Sequence, residues 1–250
     1  MNLRRNLAAL GVLLLCASSA AADCANTDFQ GQNFTYCRAN ASDDIRLFLY
    51  AKDTQVYGNF RTIDEALARD DKKLAFAMNG SMYHPDRSPV GLFVEKGEEV
   101  SRIVTSAGPG NFGLLPNGVF CIEDSRFTLI ESRSFASAPP QCQYAAQSGP
   151  MLVIDGDYHP RFLSDSDSRL IRNGVGVSAD GKRAVFAIAN SPVNFYEFAR
   201  FFRDYLEMPQ ALYIDGNVSR LHAPALRRSD WGTLLGPIVG KVVDATTPTN

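Results

Sequence analysis

Four short polar clusters hold most of the chain's chemical options: Asn79-Gly80-Ser81, Gln147-Ser148-Gly149-Pro150, Arg172-Asn173-Gly174 and Asp215-Gly216-Asn217-Val218-Ser219-Arg220. Each adjoins an apolar run that reads as a buried strand. Together they offer guanidinium groups, a carboxylate, amides and hydroxyls. Glycine-containing loops at strand ends are where a rigid scaffold presents working side chains, and glycine lets the backbone approach a ligand closely. Taken singly, each cluster is equally an ordinary turn. Arg172 then pairs with a surface acid, Asp215 bonds its own backbone, and Asn79 and Ser148 satisfy buried backbone groups.

Other motif-like patterns carry less. Gly108, Gly110 and Gly113 fit G-x-G-x-x-G, but Pro109 lies inside it and Leu114-Leu115-Pro116-Asn117-Gly118 follows, which cannot open a helix. The segment reads as a glycine-rich loop, not a dinucleotide site. Gly236 to Lys241 is one residue short of a P-loop and lacks its Ser/Thr. There is no H-E-x-x-H and no G-x-S-x-G, and the three histidines, His84, His159 and His222, are far apart. Neither a metal site nor a cofactor is expected.

The N-terminus reads as an export signal. Arg4 and Arg5 precede the apolar run Leu7 to Cys16, and Ala20-Ala21-Ala22 fits a cleavage site. The expected mature chain begins at Asp23. It retains Cys24, Cys37, Cys121 and Cys142, an even set that reads as two disulfides in an oxidising compartment. Three pairings are open, of which the local ones, Cys24–Cys37 and Cys121–Cys142, are favoured. The cysteines show no zinc-type spacing. A formal net charge of −2 gives no electrostatic footprint for nucleic acid, and no polybasic run suits a membrane surface. A periplasmic or secreted protein, without stable membrane insertion after cleavage, is expected.

The elements that must position the clusters are mostly strands. Ile45–Tyr50, Leu74–Met78, Met151–Ile154, Ala211–Ile214 and Ile238–Val243 are apolar and β-favouring. Turn signals at Glu95 to Glu98, Glu123 to Ser125 and Ala179 to Gly181 join three hairpins. Thr62 to Arg69 reads as a short helix with Asp64 and Glu65 in its first turn. One amphipathic helix is clear over 194–206: Asn194 caps it, Phe195, Phe198, Ala199, Phe202, Tyr205 and Leu206 share one face, and Pro209 ends it. Ser132 to Gln141 reads as a surface loop. The fold class is α+β (mixed α/β): a strand-rich single domain over 23–250, core about 45–243, with a mostly antiparallel or mixed sheet and few helices.

Together the clusters and their neighbours resemble a known family. Met78-Asn79-Gly80-Ser81-Met82-Tyr83-His84-Pro85, Pro89-Val90-Gly91-Leu92, Gln147 through Leu152, Arg172 through Val177, and Leu212 through Ser219 are similar, in that order, to the phosphodiester glycosidases. This is the domain of the lysosomal mannose-6-phosphate uncovering enzyme, and the likeness is to its compact exported bacterial branch. It spans roughly Ile45 to Val243. Two departures bear on specificity. Gly216 is followed by Asn217 where the lysosomal branch has a second glycine, and the loop after Asn79 is Gly80-Ser81-Met82-Tyr83 where that branch has Gly-Gly and an aromatic. The sugar preference is therefore not carried over.

The resemblance implies hydrolysis of the bond between an anomeric carbon and a phosphodiester oxygen. A phosphate leaves far more readily than an alcohol, so a second carboxylic acid becomes dispensable. What remains necessary is a cation for the phosphate and a carboxylate near the sugar. Arg172 takes the first task, because a guanidinium grips phosphate oxygens bidentately. Asp215 takes the second, as nucleophile, base or charge stabiliser. Asn79, Ser81, Ser148, Asn217, Ser219 and Arg220 are expected to bind substrate, with Tyr83 and His84 walling the pocket. The expected partner is a sugar-phosphate or phosphorylated glycan of the cell envelope. The rival readings are a non-catalytic module gripping the same ligand, a serine hydrolase using Ser148 or Ser219, and a metal-dependent phosphodiesterase.

Overall fold

The structure is a computed structural model that describes residues 23–52 and 55–248. The expected export signal lies outside the described residues.

The chain opens with a hairpin, β1 (Cys24–Phe29) and β2 (Gln32–Asn40), followed by β3 (Asp44–Phe48), α1 (Phe60–Leu67) and β4 (Lys72–Asn79). Two further hairpins follow, β5 (Phe93–Glu95) with β6 (Glu98–Ser101) and β7 (Gly118–Ile122) with β8 (Phe127–Glu131). Next come α2 (Ser132–Ser137), β9 (Tyr144–Ser148), β10 (Met151–Ile154), β11 (Asp157–Tyr158), β12 (Asn173–Val177) and β13 (Arg183–Ala189). The chain closes with α3 (Phe195–Arg200), β14 (Gln210–Asp215), β15 (Leu221–Ala223), β16 (Arg228–Ser229) and β17 (Ile238–Asp244).

Three sheets result, in the orders β1-β2-β13-β12-β14-β10-β11, β16-β15-β4-β17-β3 and β6-β5-β9-β7-β8. Their ladders are antiparallel, as in β12 with β13, β4 with β17 and β7 with β9. This is the strand-rich α+β domain expected. The sheets share one core in which Phe186 of β13 meets Phe76 of β4 at 5.6 Å and Phe120 of β7 at 5.7 Å. Burying each such ring contributes about 1.5–3 kcal/mol. The other face of the seven-stranded sheet is covered by Phe198, Phe201 and Phe202. β12 and β14 are thus buried on both faces, which is why Ala211–Ile214 of β14 reads as an apolar run without alternation.

Both favoured disulfides are present, Cys24–Cys37 across the first hairpin and Cys121–Cys142 between β7 and the approach to β9. That first hairpin, upstream of Ile45, supplies two strands to the seven-stranded sheet.

Three local expectations need correction. Helix α1 starts at Phe60 under an Asn59 cap, two residues before the expected start, so Asp64 and Glu65 lie beyond its first turn. The segment after Ser132 is not wholly loop: Glu131 accepts the Ser134 N–H, caps α2 and lets Phe135 bury. The 194–206 helix has its Asn194–Glu197 capping box but runs as π-helix over Phe201–Tyr205. The wider turn rotates the stripe, burying Phe201 and leaving Tyr205 exposed.

Candidate active site

The ends of three strands from three sheets meet at Asp215. β14 carries one extra residue, Ile214, opposite the Asn173–Gly174 step of β12, so Asn173 pairs with Asp215 while Gly174 pairs with Tyr213. Such a bulge re-aims the side chain beside it. Asp215 is 8% exposed. Its Oδ1 accepts the backbone N–H groups of Gly216 and, at 2.8 Å, Asn217. Its Oδ2 is approached by Asn79 Nδ2 at 3.5 Å.

Asn79, at the end of β4, ties the cluster together. Its Nδ2 also donates to the Val218 carbonyl at 2.9 Å, and its Oδ1 accepts the Arg220 N–H at 2.8 Å. Asn173 donates to the Asn79 carbonyl at 3.3 Å and so links the first two sheets. Ser219 Oγ lies 3.1 Å from Asn173 Oδ1 and 3.0 Å from the Asp215 carbonyl oxygen. Ser148, at the end of β9, donates to the Ile214 carbonyl at 3.2 Å and brings in the third sheet. Of the residues picked out from sequence, Asn79, Ser148, Asp215, Ser219 and Arg220 therefore share one network.

Arg172 lies just before Asn173 but is wholly enclosed. Its guanidinium stacks on Phe195 at 3.8 Å and faces Tyr213 at 5.3 Å, while Nε donates to the Val193 carbonyl and Nη2 to that of Ser168, both at 2.9 Å. Nη1 has no hydrogen-bond partner. Direct grip on a phosphate from solvent, the role expected of Arg172, does not match this enclosure: two aromatic rings draw the cation inward. Tyr213 connects Arg172 to Asp215. Burial pushes its hydroxyl up to about 12, the Arg172 charge pulls it back, and the Asp215 carboxylate raises it further. The close fit needs glycine at 216, where a Cβ would come within 2.5 Å of Tyr213 Oη.

Burial raises the pKa of Asp215 above the ordinary carboxylate value, and the N–H groups of Asn217, Gly216 and Val218, then the Arg220 charge, oppose it. Tyr83 is half-buried. Burial and Asp215 raise its pKa, against Arg87 and Arg220. Ser81 is buried with Oγ on the Met82 carbonyl, and His84 is exposed in the turn that Ser88 closes. An open cleft of about 620 Å³ adjoins the network, and Asn217, Ser219 and Arg220 form one wall. Among the described residues, no group of three His, Cys, Asp or Glu side chains is placed to hold a metal ion.

One Ser-His-Asp series exists away from this network. Ser229 Oγ is 2.9 Å from His222 Nδ1, and His222 Nε2 is 3.5 Å from Asp64. Asp64 also accepts the Leu74 N–H at 2.8 Å and His222 packs on Phe60, so the series fastens α1 to its sheet. Ser148 and Ser219, the serines weighed as nucleophiles, take no part in it. Sequence reasoning left Tyr213 as core and gave Asn173 no task. Asn173's place in the Arg-Asn-Gly cluster was its only signal.

Strand ends from three sheets, gathered around a buried carboxylate whose loop adjoins a polar cleft, make the candidate site on an antiparallel α+β scaffold. Residues 72–223 match the phosphodiester glycosidase family, and the chain belongs to that family. The uncharacterized protein YigE of Escherichia coli (strain K12) is 32% identical over 222 residues, covering 89% of this chain and 86% of its own. Two solved structures share the fold. The zebrafish N-acetylglucosamine-1-phosphodiester alpha-N-acetylglucosaminidase catalytic domain, auto-inhibited by its pro-peptide, aligns with TM-score 0.58 at 13% identity, over 90% of this chain and 84% of that one. A Burkholderia pseudomallei protein named for expected export aligns with TM-score 0.52 at 11% identity, over 84% and 74%.

Proposed function

We propose that the chain hydrolyses a glycosyl phosphodiester, separating the anomeric carbon from the phosphodiester oxygen, in an exported setting where cell-envelope glycans are the substrate. The observation that carries this reading is Asp215, a buried carboxylate held by backbone N–H groups through Oδ1 while Oδ2 has only the 3.5 Å approach of Asn79. Oδ2 is the atom that attacks the anomeric carbon or takes the proton of water. Water supplies a hydroxyl to the sugar and a proton to the departing phosphate, giving free sugar and a phosphomonoester. The phosphate needs little help in leaving, consistent with a single central carboxylate.

Arg220, on the cleft wall and close enough to lower the Asp215 pKa, is the cation the proposal assigns to the phosphate. Arg172 works from beneath, holding Tyr213 against Asp215, and is a positioning residue. Asn79 and Ser219 orient the Asp215 loop. Asn217 and Tyr83 face the substrate, and His84 borders the entrance. Export is supported by the N-terminal sequence, by the two disulfides and by the name of the Burkholderia relative. Among the described residues no helix is long and apolar enough to cross a membrane.

Asp215→Asn separates this reading from that of a binding module. The amide oxygen still accepts the turn N–H groups, so the fold persists. Turnover of a glycosyl phosphodiester should fall about 10²–10⁴-fold, the usual contribution of such a group, while calorimetric binding persists. A variant that turns over as fast as the parent contradicts the proposal.

A further inference from the structure

The cleft that adjoins the Asp215 loop has a second wall that the proposed chemistry does not use. The chain has a single tryptophan, Trp231, and it is 93% exposed on that wall. Tryptophan is highly buried on average, so a bare indole on a cleft calls for a cause.

Its support is rigid. On one side, the Asp230 N–H donates to the Leu221 carbonyl at 3.0 Å and Asp230 Oδ2 accepts the Leu221 N–H at 2.9 Å. Arg228 closes a two-pronged contact on the same carboxylate, Nε at 3.1 Å and Nη2 at 2.8 Å. On the other side, Arg220 bonds the carbonyl and hydroxyl of Thr233 and lies over Gly232, where a Cβ would come within 2.4 Å of Arg220 Nη2. The indole is thus held out from a loop clamped before and after it, the preorganised arrangement that lowers the entropy cost of binding.

The rest of the cleft suits one kind of guest. Ile171, 41% exposed, adds a second apolar surface. Asn190, Asn217, Ser219 and Ser229 supply amides and hydroxyls, and the Arg228 charge is matched by Asp230. A flat apolar ring edged by neutral hydrogen-bonding groups fits a pyranose, which has a C–H face and a rim of hydroxyls. The volume of about 620 Å³ lies within the ~300–1,000 Å³ typical of small-ligand sites.

We infer that this cleft holds a further saccharide unit of the substrate, stacked on Trp231, so that the protein acts on glycans continuing beyond the phosphodiester. The inference rests on the glycosidase reading above and names which substrates that site prefers.

The lone tryptophan is its own reporter. The full chain is titrated, reading Trp231 emission, with neutral trisaccharides of glucose, mannose, galactose and N-acetylglucosamine, with the matching monosaccharides, and with phosphatidylglycerol vesicles. At least one trisaccharide should change the emission saturably and bind at least tenfold tighter than its monosaccharide. By calorimetry, Trp231→Ala should weaken that binding at least tenfold and Trp231→Phe less than threefold. The inference is overturned if no trisaccharide changes the emission, if Trp231→Ala binds like the parent, or if only vesicles produce a response. Hydrolysis of a methyl glycosyl phosphodiester with no trisaccharide response would leave the proposed activity standing without this subsite. Saccharide binding at Trp231 with no hydrolysis of any glycosyl phosphodiester would leave the saccharide contact and remove the catalytic reading.

Discussion

Asn173 donates its side-chain amide to the backbone carbonyl of Asn79 at 3.3 Å, so the start of one buried strand is fastened to the end of another in a different sheet. Both residues are fully buried, and each also contacts the Asp215 loop, Asn173 through Ser219 and Asn79 through Val218 and Arg220. The junction of the sheets and the support of the carboxylate are therefore the same set of hydrogen bonds.

Asn173→Ala should accordingly reduce both stability and activity. It leaves the Asn79 carbonyl without this donor inside the protein, at a cost of about 1–3 kcal/mol. Urea denaturation measures that loss, and kcat/KM on a glycosyl phosphodiester should fall with it. Asn173→Ala with parental stability would mean that the link carries no load.

The acid limb of the activity profile should lie above the ordinary carboxylate range. Burial raises the Asp215 pKa from 3.8, and the form the proposal requires is the carboxylate, so kcat/KM should rise as pH climbs through that elevated value. Arg220→Gln removes a charge that favours the carboxylate and should move the limb to still higher pH. A limb at or below 3.8, or one that moves down in Arg220→Gln, contradicts the assignment.

Two histidines should make the fold sensitive to mild acid. Burial lowers the folded pKa of His159 and of His222 below 6.5. The unfolded chain takes up protons first, so their contribution to stability is complete above about pH 6.5 and is lost as pH falls toward the folded values. The raised pKa values of Asp215 and Glu95 act in the opposite sense. The comparison is therefore with a His159→Gln/His222→Gln variant, whose urea midpoint should fall less than the parent's between pH 7.5 and pH 5.

Loss of the Cys121–Cys142 bond should cost about 3 kcal/mol, the size expected for a loop of this length. A Cys121→Ala/Cys142→Ala variant tests this by thermal melting, with the Cys24–Cys37 bond left intact. An unchanged Tm would contradict this, showing that the crosslink adds no net constraint on the unfolded chain.

Much of this arrangement was legible in the sequence because its signals are local. Turn residues at strand ends marked where Asn79, Ser148 and Asp215 emerge, and Asn194 ahead of the apolar stripe from Phe195 to Leu206 announced a capped helix. An even cysteine count with short separations favoured, among three open pairings, the two disulfides that form. Long-range causes were not legible. Nothing near Arg172 shows that Phe195 and Tyr213 will enclose it, and that enclosure is why the proposal gives the phosphate to Arg220. The bulge at Ile214, which turns Asp215 toward Asn79, depends on strand pairing and not on composition. The exposure of Trp231 depends on Arg220 and Asp230 pinning its loop from both sides.

Phosphorus NMR of the full chain incubated with synthetic glycosyl phosphodiesters of several sugars tests the central claim most directly, because it reports which bond is cut. The account predicts that at least one phosphodiester resonance gives way to a phosphomonoester as free sugar appears, with oxygen from labelled water found on the sugar and not on the phosphate. Label on the phosphate, or no phosphomonoester from any sugar in the series, would contradict it.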